Sequence, residues 1–141
     1  MVSFFSKRAL FFIGLFGLML ISGCMGPKTI DNAQKMTVEF EWVGSGCGLS
    51  NPNPELRLGN VPSGTAYLKV AMDDLDSPGF NHGGGTVEYK GDGKVAAGAL
   101  RGYKGPCPPT GNSHLYRFRV TALNADKSLI LGEGVMMKRY P

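Results

Sequence analysis

The chain has 141 residues and a formal net charge of +4, and its 21 glycines and nine prolines are spread between short apolar runs. A chain of this length forms one domain with an ordinary hydrophobic core. Two of the positive charges, Lys7 and Arg8, lie in an N-terminal segment that we expect to be removed. The small charge that remains, without a basic run, argues against a nucleic-acid-binding protein.

The N-terminal segment has the parts of a bacterial export signal. Lys7 and Arg8 precede an unbroken apolar stretch, residues 9–21. This stretch is shorter than the roughly 20 residues that a membrane-spanning helix needs. It leads into the sequence Ile-Ser-Gly-Cys, which resembles the lipobox of bacterial lipoproteins and ends at Cys24. The resemblance implies that residues 1–23 are a lipoprotein signal peptide and that Cys24 is diacylated and becomes the first residue.

Lipid on Cys24 would anchor the chain to a membrane of the bacterial envelope, since two or more acyl chains hold a protein there stably. The next residue is Met25 and not Asp. By resemblance to Gram-negative lipoproteins, this favours the outer membrane. An ordinary secretory signal with an incidental cysteine, or a short N-terminal anchor, is the alternative. Residues 24–35 lack periodicity and are predicted to be a lipidated tether, which leaves a domain of residues 36–141.

Cys47 and Cys107 are the cysteines that remain after lipidation of Cys24. Disulfides persist in the oxidising envelope compartment, so we predict that these two are paired. The bridge would close a long loop and stabilise the domain by about 4 kcal/mol in the chain-entropy model. Two separate buried thiols are the alternative.

The domain is predicted to be all-β, mainly antiparallel and sandwich-like. Apolar and polar residues alternate along its clearest segments, as in half-buried strands, and no segment of the domain has a helical period. Two glycines, Gly132 and Gly134, indicate a bulge in the last strand. The clear strands are predicted at residues 36–42, 66–72, 115–123 and 129–140, and weaker ones at 55–58, 86–89 and 95–100.

Two loop-like segments, residues 73–85 and 102–114, place acids and histidines among turn-forming residues. Loops of this kind on a rigid sheet commonly carry binding sites. The first segment fails as a calcium loop because its fifth position is proline and its twelfth is not Glu. A lipase-type oxyanion loop would also require Gly-x-Ser-x-Gly, which is missing. Asp74, His82 and His114 could ligate a metal, but their spacing matches no metal motif, so no metal and no cofactor are predicted.

Both segments resemble the signature loops of the phosphatidylethanolamine-binding protein family, which includes Raf kinase inhibitor protein. The first family motif, Asp-Pro-Asp-x-Pro followed by His, is matched from Asp74 to Pro78 and by His82. The second, Gly-Pro-x-Pro-Pro-x-Gly followed by His and an aromatic strand, is matched from Gly105 to Gly111 and by His114. The resemblance extends from about residue 36 to the C-terminus.

The chain departs from the family pattern at two positions of the first motif and in its spacing. Leu75 replaces the proline, and Gly83 replaces the Trp that usually follows the first histidine. The segment between His82 and His114 is also short for the family. These departures leave the identity of the ligand open.

The resemblance implies a small cleft that holds phosphate, carboxylate or a phospholipid headgroup. Its predicted ligand-binding residues are Asp74, His82, Gly105, Pro106, His114 and Tyr116. Imidazoles donate hydrogen bonds to anions, and a neighbouring carboxylate fixes their tautomer. No activated nucleophile accompanies them, so no catalytic residues are predicted and a binding protein is favoured over an enzyme. A protein-interaction or inhibitory module that acts on an envelope partner is the alternative.

Overall fold

The computed structural model describes residues 26–141, so the predicted signal peptide and Cys24 lie outside the described residues. These residues form strands and no helix, which confirms the all-β prediction, and they offer no helical segment that could cross a membrane. The strands are β1 (Lys28–Glu39), β2 (Leu56–Gly59), β3 (Tyr67–Asp74), β4 (Asn81–Glu88), β5 (Lys94–Val95), β6 (His114–Leu123) and β7 (Leu129–Tyr140).

The strands form a seven-stranded sheet in the order β4-β3-β6-β7-β1-β2-β5. Neighbours are antiparallel except β1 and β7, which run parallel. The first part of β1 pairs with β7, whereas its last residues, from Thr37 onward, pair with β2. Side chains from both parts of the sheet meet in one hydrophobic cluster. The predicted antiparallel arrangement therefore gains one parallel pair.

The interior strands β3 and β6 are neighbours in the sheet, and their buried residues follow the predicted alternation. Successive side chains of a strand point to opposite faces. Phe118 is accordingly fully buried, while its neighbour Arg119 is exposed. The Phe118 ring meets that of Phe40 edge-on, with 4.9 Å between centroids, and lies parallel to that of Tyr103 at 5.9 Å. Burying one such side chain contributes about 1.5–3 kcal/mol.

Strand β1 begins eight residues earlier than the domain boundary predicted at residue 36. Lys28 and Thr29 pair with Leu129 and Ile130 of β7, and pairing resumes at Gln34 after an irregularity. Residues 28–35 are exposed or half-exposed on both faces, so they carry no apolar alternation. The predicted tether is therefore wrong for this segment, because backbone hydrogen bonds hold it in the sheet.

Two glycines let β1 approach β7 closely. A Cβ atom at Gly134 would lie 2.7 Å from Val38 Cγ2, and one at Gly132 would lie 2.7 Å from Gln34 O. Close to Gly132 the pairing of β6 with β7 skips Leu131, as in a β-bulge. The predicted bulge is thus confirmed.

The predicted disulfide between Cys47 and Cys107 is present. It joins the loop after β1 to the loop that precedes β6. Beside it, the Gly48 N–H donates a hydrogen bond to Pro106 O at 2.7 Å. These two links fix the position of both loops at the end of the sheet where β6 begins.

Candidate functional site

The first predicted loop is shorter than the sequence indicated. Asp73 and Asp74 are the last residues of β3, and β4 starts at Asn81. The glycines of β4 belong to the strand because Gly84 and Gly85 pair with Ala71 and Val70 of β3. Only residues 75–80 form the connection. Asp74 is therefore held by a central strand and His82 by its neighbour, not by a mobile loop.

Asp74 is the buried carboxylate at the centre of the site. Its Oδ1 accepts hydrogen bonds from the backbone N–H groups of Asp76 at 2.9 Å and Ser77 at 3.0 Å. Its Oδ2 accepts a 2.7 Å bond from Nδ1 of His114. Burial raises the pKa of Asp74, but these hydrogen bonds outweigh it and bring the pKa below its ordinary value of 3.8. The carboxylate is therefore ionised at neutral pH.

The two histidines face this carboxylate from neighbouring strands. His114, the first residue of β6, is bonded to Asp74 and keeps part of its ring accessible. His82 is almost fully buried, and its Nε2 lies 4.0 Å from Asp74 Oδ2. Its Nδ1 donates to the backbone oxygen of Lys104 at 2.9 Å. The structure thus brings together the three side chains that the sequence selected from separate segments.

Tyr116 lies beneath the histidines, two residues after His114 on the same face of β6. Its ring meets that of His82 edge-on at 5.3 Å. The side chain is fully buried, and its hydroxyl has no hydrogen-bond partner among residues 26–141. Burial, together with the nearby charge of Asp74, raises the pKa of Tyr116. It therefore supplies a neutral hydroxyl behind the site.

Gly105 and Pro106 are buried, and they support the site without lining it. A Cβ atom at Gly105 would lie only 2.0 Å from Gly48 O, so this position has room for glycine alone. Pro106 accepts the hydrogen bond from Gly48 described above. Both residues thus hold the loop before β6 against the loop that carries Cys47.

A cavity of about 200 Å³ opens over Asp74 and the two histidines. The sequence had not selected the other wall residues as ligand-binding: Leu49 and Phe80 lie outside the two motifs, and the others were matched only as parts of them. Phe80, which is 42% exposed, packs against the His82 ring at 4.6 Å. Lys104, which does not line the cavity, places its ammonium 5.8 Å from the centre of the Phe80 ring. The remaining wall residues are Leu49, Ser77, Cys107 and Pro109.

The cavity suits the binding of a small polar group. Within the described part of the chain, no three His, Cys, Asp or Glu side chains are arranged to hold a metal ion. No hydrogen bond joins Ser77 Oγ to either imidazole within residues 26–141, so the carboxylate–imidazole pair has no nucleophile attached. What remains is a charged carboxylate, two imidazoles and an apolar rim.

Comparisons with known proteins agree with this fold. The family model for phosphatidylethanolamine-binding protein matches residues 81–140, which include His82, the second motif and His114. A search of curated protein sequences gave no significant match.

Two solved bacterial structures are similar to this chain. A putative phosphatidylethanolamine-binding protein homologue from Chlamydia trachomatis, CT736, is 21% identical with a TM-score of 0.54, and the alignment covers 78% of this chain and 98% of that one. YbcL from E. coli, described as a member of the mammalian family, is 20% identical with a TM-score of 0.56, and the alignment covers 76% and 98%. The chain thus resembles the phosphatidylethanolamine-binding protein family, through the match over residues 81–140 and through the fold that it shares with these two structures.

Proposed function

We propose that this protein binds a small oxyanion, free or as part of a phospholipid-like headgroup, in the cavity over Asp74. The observation that carries the proposal is the pair of imidazoles set against one buried carboxylate at the floor of an open cavity. Protonated imidazoles donate strong hydrogen bonds to anions. The cavity, at about 200 Å³, is smaller than the 300 Å³ or more of sites for drug-sized ligands. A single headgroup matches this size.

Titration of inorganic phosphate and glycerophosphoethanolamine, followed by the NMR signals of the imidazoles, tests the proposal. We expect the signals of both His82 and His114 to shift with saturation, and Asp74→Asn to abolish the shifts. Asp92→Asn is the matched control, since Asp92 is exposed and does not line the cavity. Unchanged imidazole signals at millimolar ligand would refute binding at this cavity.

We further propose that the protein is a lipid-anchored component of the bacterial envelope. The support is the sequence of residues 1–24, in which a basic start and an apolar stretch lead into Ile-Ser-Gly-Cys. Expression in a Gram-negative host with labelled palmitate should label the wild type and leave Cys24→Ala unlabelled. Met25→Asp should move the protein from the outer to the inner membrane fraction. Label retained by Cys24→Ala would refute acylation at this cysteine.

A second candidate function is interaction with an envelope protein. Three large apolar side chains near the cavity are exposed: Leu49 by 39%, Leu75 by 37% and Phe80 by 42%. An envelope partner bound through this rim should be lost on Leu75→Ser with Phe80→Ser and retained on His114→Ala. Loss on His114→Ala alone would instead indicate that the partner competes with a ligand for the cavity.

A further inference from the structure

Both imidazoles of the site use the same ring nitrogen as a donor. His82 Nδ1 lies 2.9 Å from Lys104 O, and a carbonyl oxygen can only accept a hydrogen bond. His114 Nδ1 lies 2.7 Å from Oδ2 of Asp74, which is ionised. In each neutral ring the proton is therefore on Nδ1. It follows that Nε2 of each ring carries a lone pair and no hydrogen.

Asp74 offers no donor either, because it is a carboxylate whose two oxygens accept the bonds already described. With both imidazoles neutral, the cavity floor thus presents hydrogen-bond acceptors. An oxyanion placed against two acceptors and a carboxylate leaves lone pairs facing lone pairs, which costs binding free energy. In this state neither the two imidazoles nor Asp74 supplies a hydrogen to the anion.

The surrounding charged groups do not remove this lack of a hydrogen-bond donor. Asp76 accepts the backbone N–H of Leu115 and lies 3.8 Å from Arg139. Arg139 also donates to Ser113 O, so its charge is directed to the rim. Lys104 has its ammonium 5.8 Å from the centre of the ring of Phe80, a wall residue, and is tested below. The Tyr116 hydroxyl has a raised pKa and stays neutral, but it is buried behind the rings.

We propose that the cavity selects oxyanions that bring a hydrogen-bond donor of their own, and that it binds fully ionised, donor-free oxyanions only with uptake of a proton. The proposal rests on the proposed oxyanion-binding function. Hydrogen phosphate has a P–O–H that donates to Nε2, and an ethanolamine headgroup has an ammonium that does the same. For sulfate, a proton from solvent must first add to Nε2 of an imidazole.

Two pairs of probes isolate the donor. Hydrogen phosphate and sulfate are alike in shape and charge and differ in one hydrogen. Glycerophosphoethanolamine has an ammonium with N–H groups, whereas the quaternary ammonium of glycerophosphocholine has none. A preference within this pair indicates a lipid headgroup as the ligand, and a preference within the first pair indicates free phosphate. At pH 7.5 we expect the donor-bearing member of at least one pair to bind about tenfold more tightly, the size of one hydrogen bond.

Sulfate affinity should rise by up to tenfold for each unit by which the pH falls, since one proton is taken up per anion. Calorimetry in buffers with different heats of ionisation counts that proton directly. We expect His114→Arg, which places permanent donors beside Asp74, to bind sulfate and phosphate about equally and with little dependence on pH. Lys104→Gln should leave the ratio of phosphate to sulfate affinity unchanged.

The outcomes that overturn the inference are distinct from those that overturn the function. Equal affinity within each pair at pH 7.5, or sulfate binding without proton uptake, would overturn the donor requirement and leave oxyanion binding intact. Loss of the phosphate preference in Lys104→Gln would also overturn it, because selectivity would then belong to the lysine. Absence of binding by all four probes down to pH 5.5 would overturn both.

Discussion

Asp74 stabilises the fold and organises the site through the same hydrogen bonds. Its Oδ1 closes the turn that follows β3, and its Oδ2 orients His114. The carboxylate holds two backbone N–H groups that would otherwise need other partners. Removing its charge should therefore affect both the stability of the loop and the orientation of the imidazole.

The pH dependence of stability should report this carboxylate. Because its pKa is lower in the folded state, Asp74 stabilises the protein above its unfolded pKa, and this contribution is lost as the pH falls through the folded value. We expect the free energy of unfolding, measured in urea between pH 2.5 and 6, to fall below about pH 4 in the wild type. Asp74→Asn should lower it by about 1–3 kcal/mol at pH 6 and flatten the acid limb.

Asp92→Asn is the control for that experiment and should leave the acid limb unchanged. Some slope will remain in Asp74→Asn, since the pKa of Asp73 is also lowered, through its hydrogen bonds with Arg119 and Arg117. An acid limb in Asp74→Asn as steep as that of the wild type would show that the Asp74 carboxylate does not stabilise the fold.

At the scale of the strand, β4 depends on glycine for its position beside the segment that follows β5. A Cβ atom at Gly83 would lie 2.0 Å from Gly102 O, and its φ of 67° disfavours any side chain. The two segments are linked by hydrogen bonds in both directions between Gly84 and Gly102. His82, the residue before Gly83, is held in the same strand.

Gly83→Ala should destabilise the fold by about 3 kcal/mol or more, the sum of left-handed strain and steric overlap. Gly91→Ala is a matched control, because Gly91 has a φ of 78° but open space around it. It should show the left-handed strain alone, about 1–2 kcal/mol. Equal losses of unfolding free energy for the two variants in urea would mean that the backbone of Gly102 moves aside readily.

The disulfide links two loops that both contribute to the cavity wall, through Leu49 and through Cys107 itself. Its cysteines are 60 residues apart, so cross-linking restricts a large part of the unfolded chain. The double variant Cys47→Ser with Cys107→Ser should lose about 4 kcal/mol of unfolding free energy. Reductant should lower wild-type stability by a similar amount and leave the double variant unchanged. A wild type indifferent to complete reduction would contradict this.

At the scale of the whole molecule, the sequence predicted the strands that have one buried and one exposed face. It missed the segments whose two faces are similarly exposed. The strands β6 and β7 have one buried face, and their apolar alternation predicted them within one residue. The first half of β1 is polar on both faces, and the start of β4 is rich in glycine, so neither has a period to detect. Their places are set by partners distant in sequence.

The residues of the site also divide into those that a local sequence pattern reveals and those whose place depends on distant partners. Asp74, His82 and His114 were selected by chemical type and motif, and the structure brings them together. Gly105 and Pro106 share the motif, yet their surroundings show a packing role that residue type alone does not reveal. Phe80 and Leu49 line the cavity because of the path of their loops, which no local pattern encodes.

The start of β1, which follows Cys24 in the chain, and the cavity lie at opposite ends of the sheet. β1 starts at Lys28, beside Leu129 at the start of β7, whereas His114 pairs with Tyr140 at the end of β7. A strand of this length spans about 35 Å. Cys24 is four residues before Lys28, a reach of about 13 Å at most. Acylation at Cys24 would thus hold the Leu129 end near the bilayer and direct the cavity away from it.

Trp42, the single tryptophan, reports on this orientation because it lies at the cavity end, where its indole donates to Arg139 O at 2.7 Å. In acylated protein on vesicles with brominated acyl chains, we expect Trp42 fluorescence to remain unquenched. Trp42→Phe with Tyr67→Trp moves the fluorophore to the Leu123 end of β3, which is the end of the sheet where β1 starts, and should be quenched. Quenching of Trp42 instead would show that the cavity faces the membrane that holds the acyl chains. The ligand would then come from that bilayer and not from the solution.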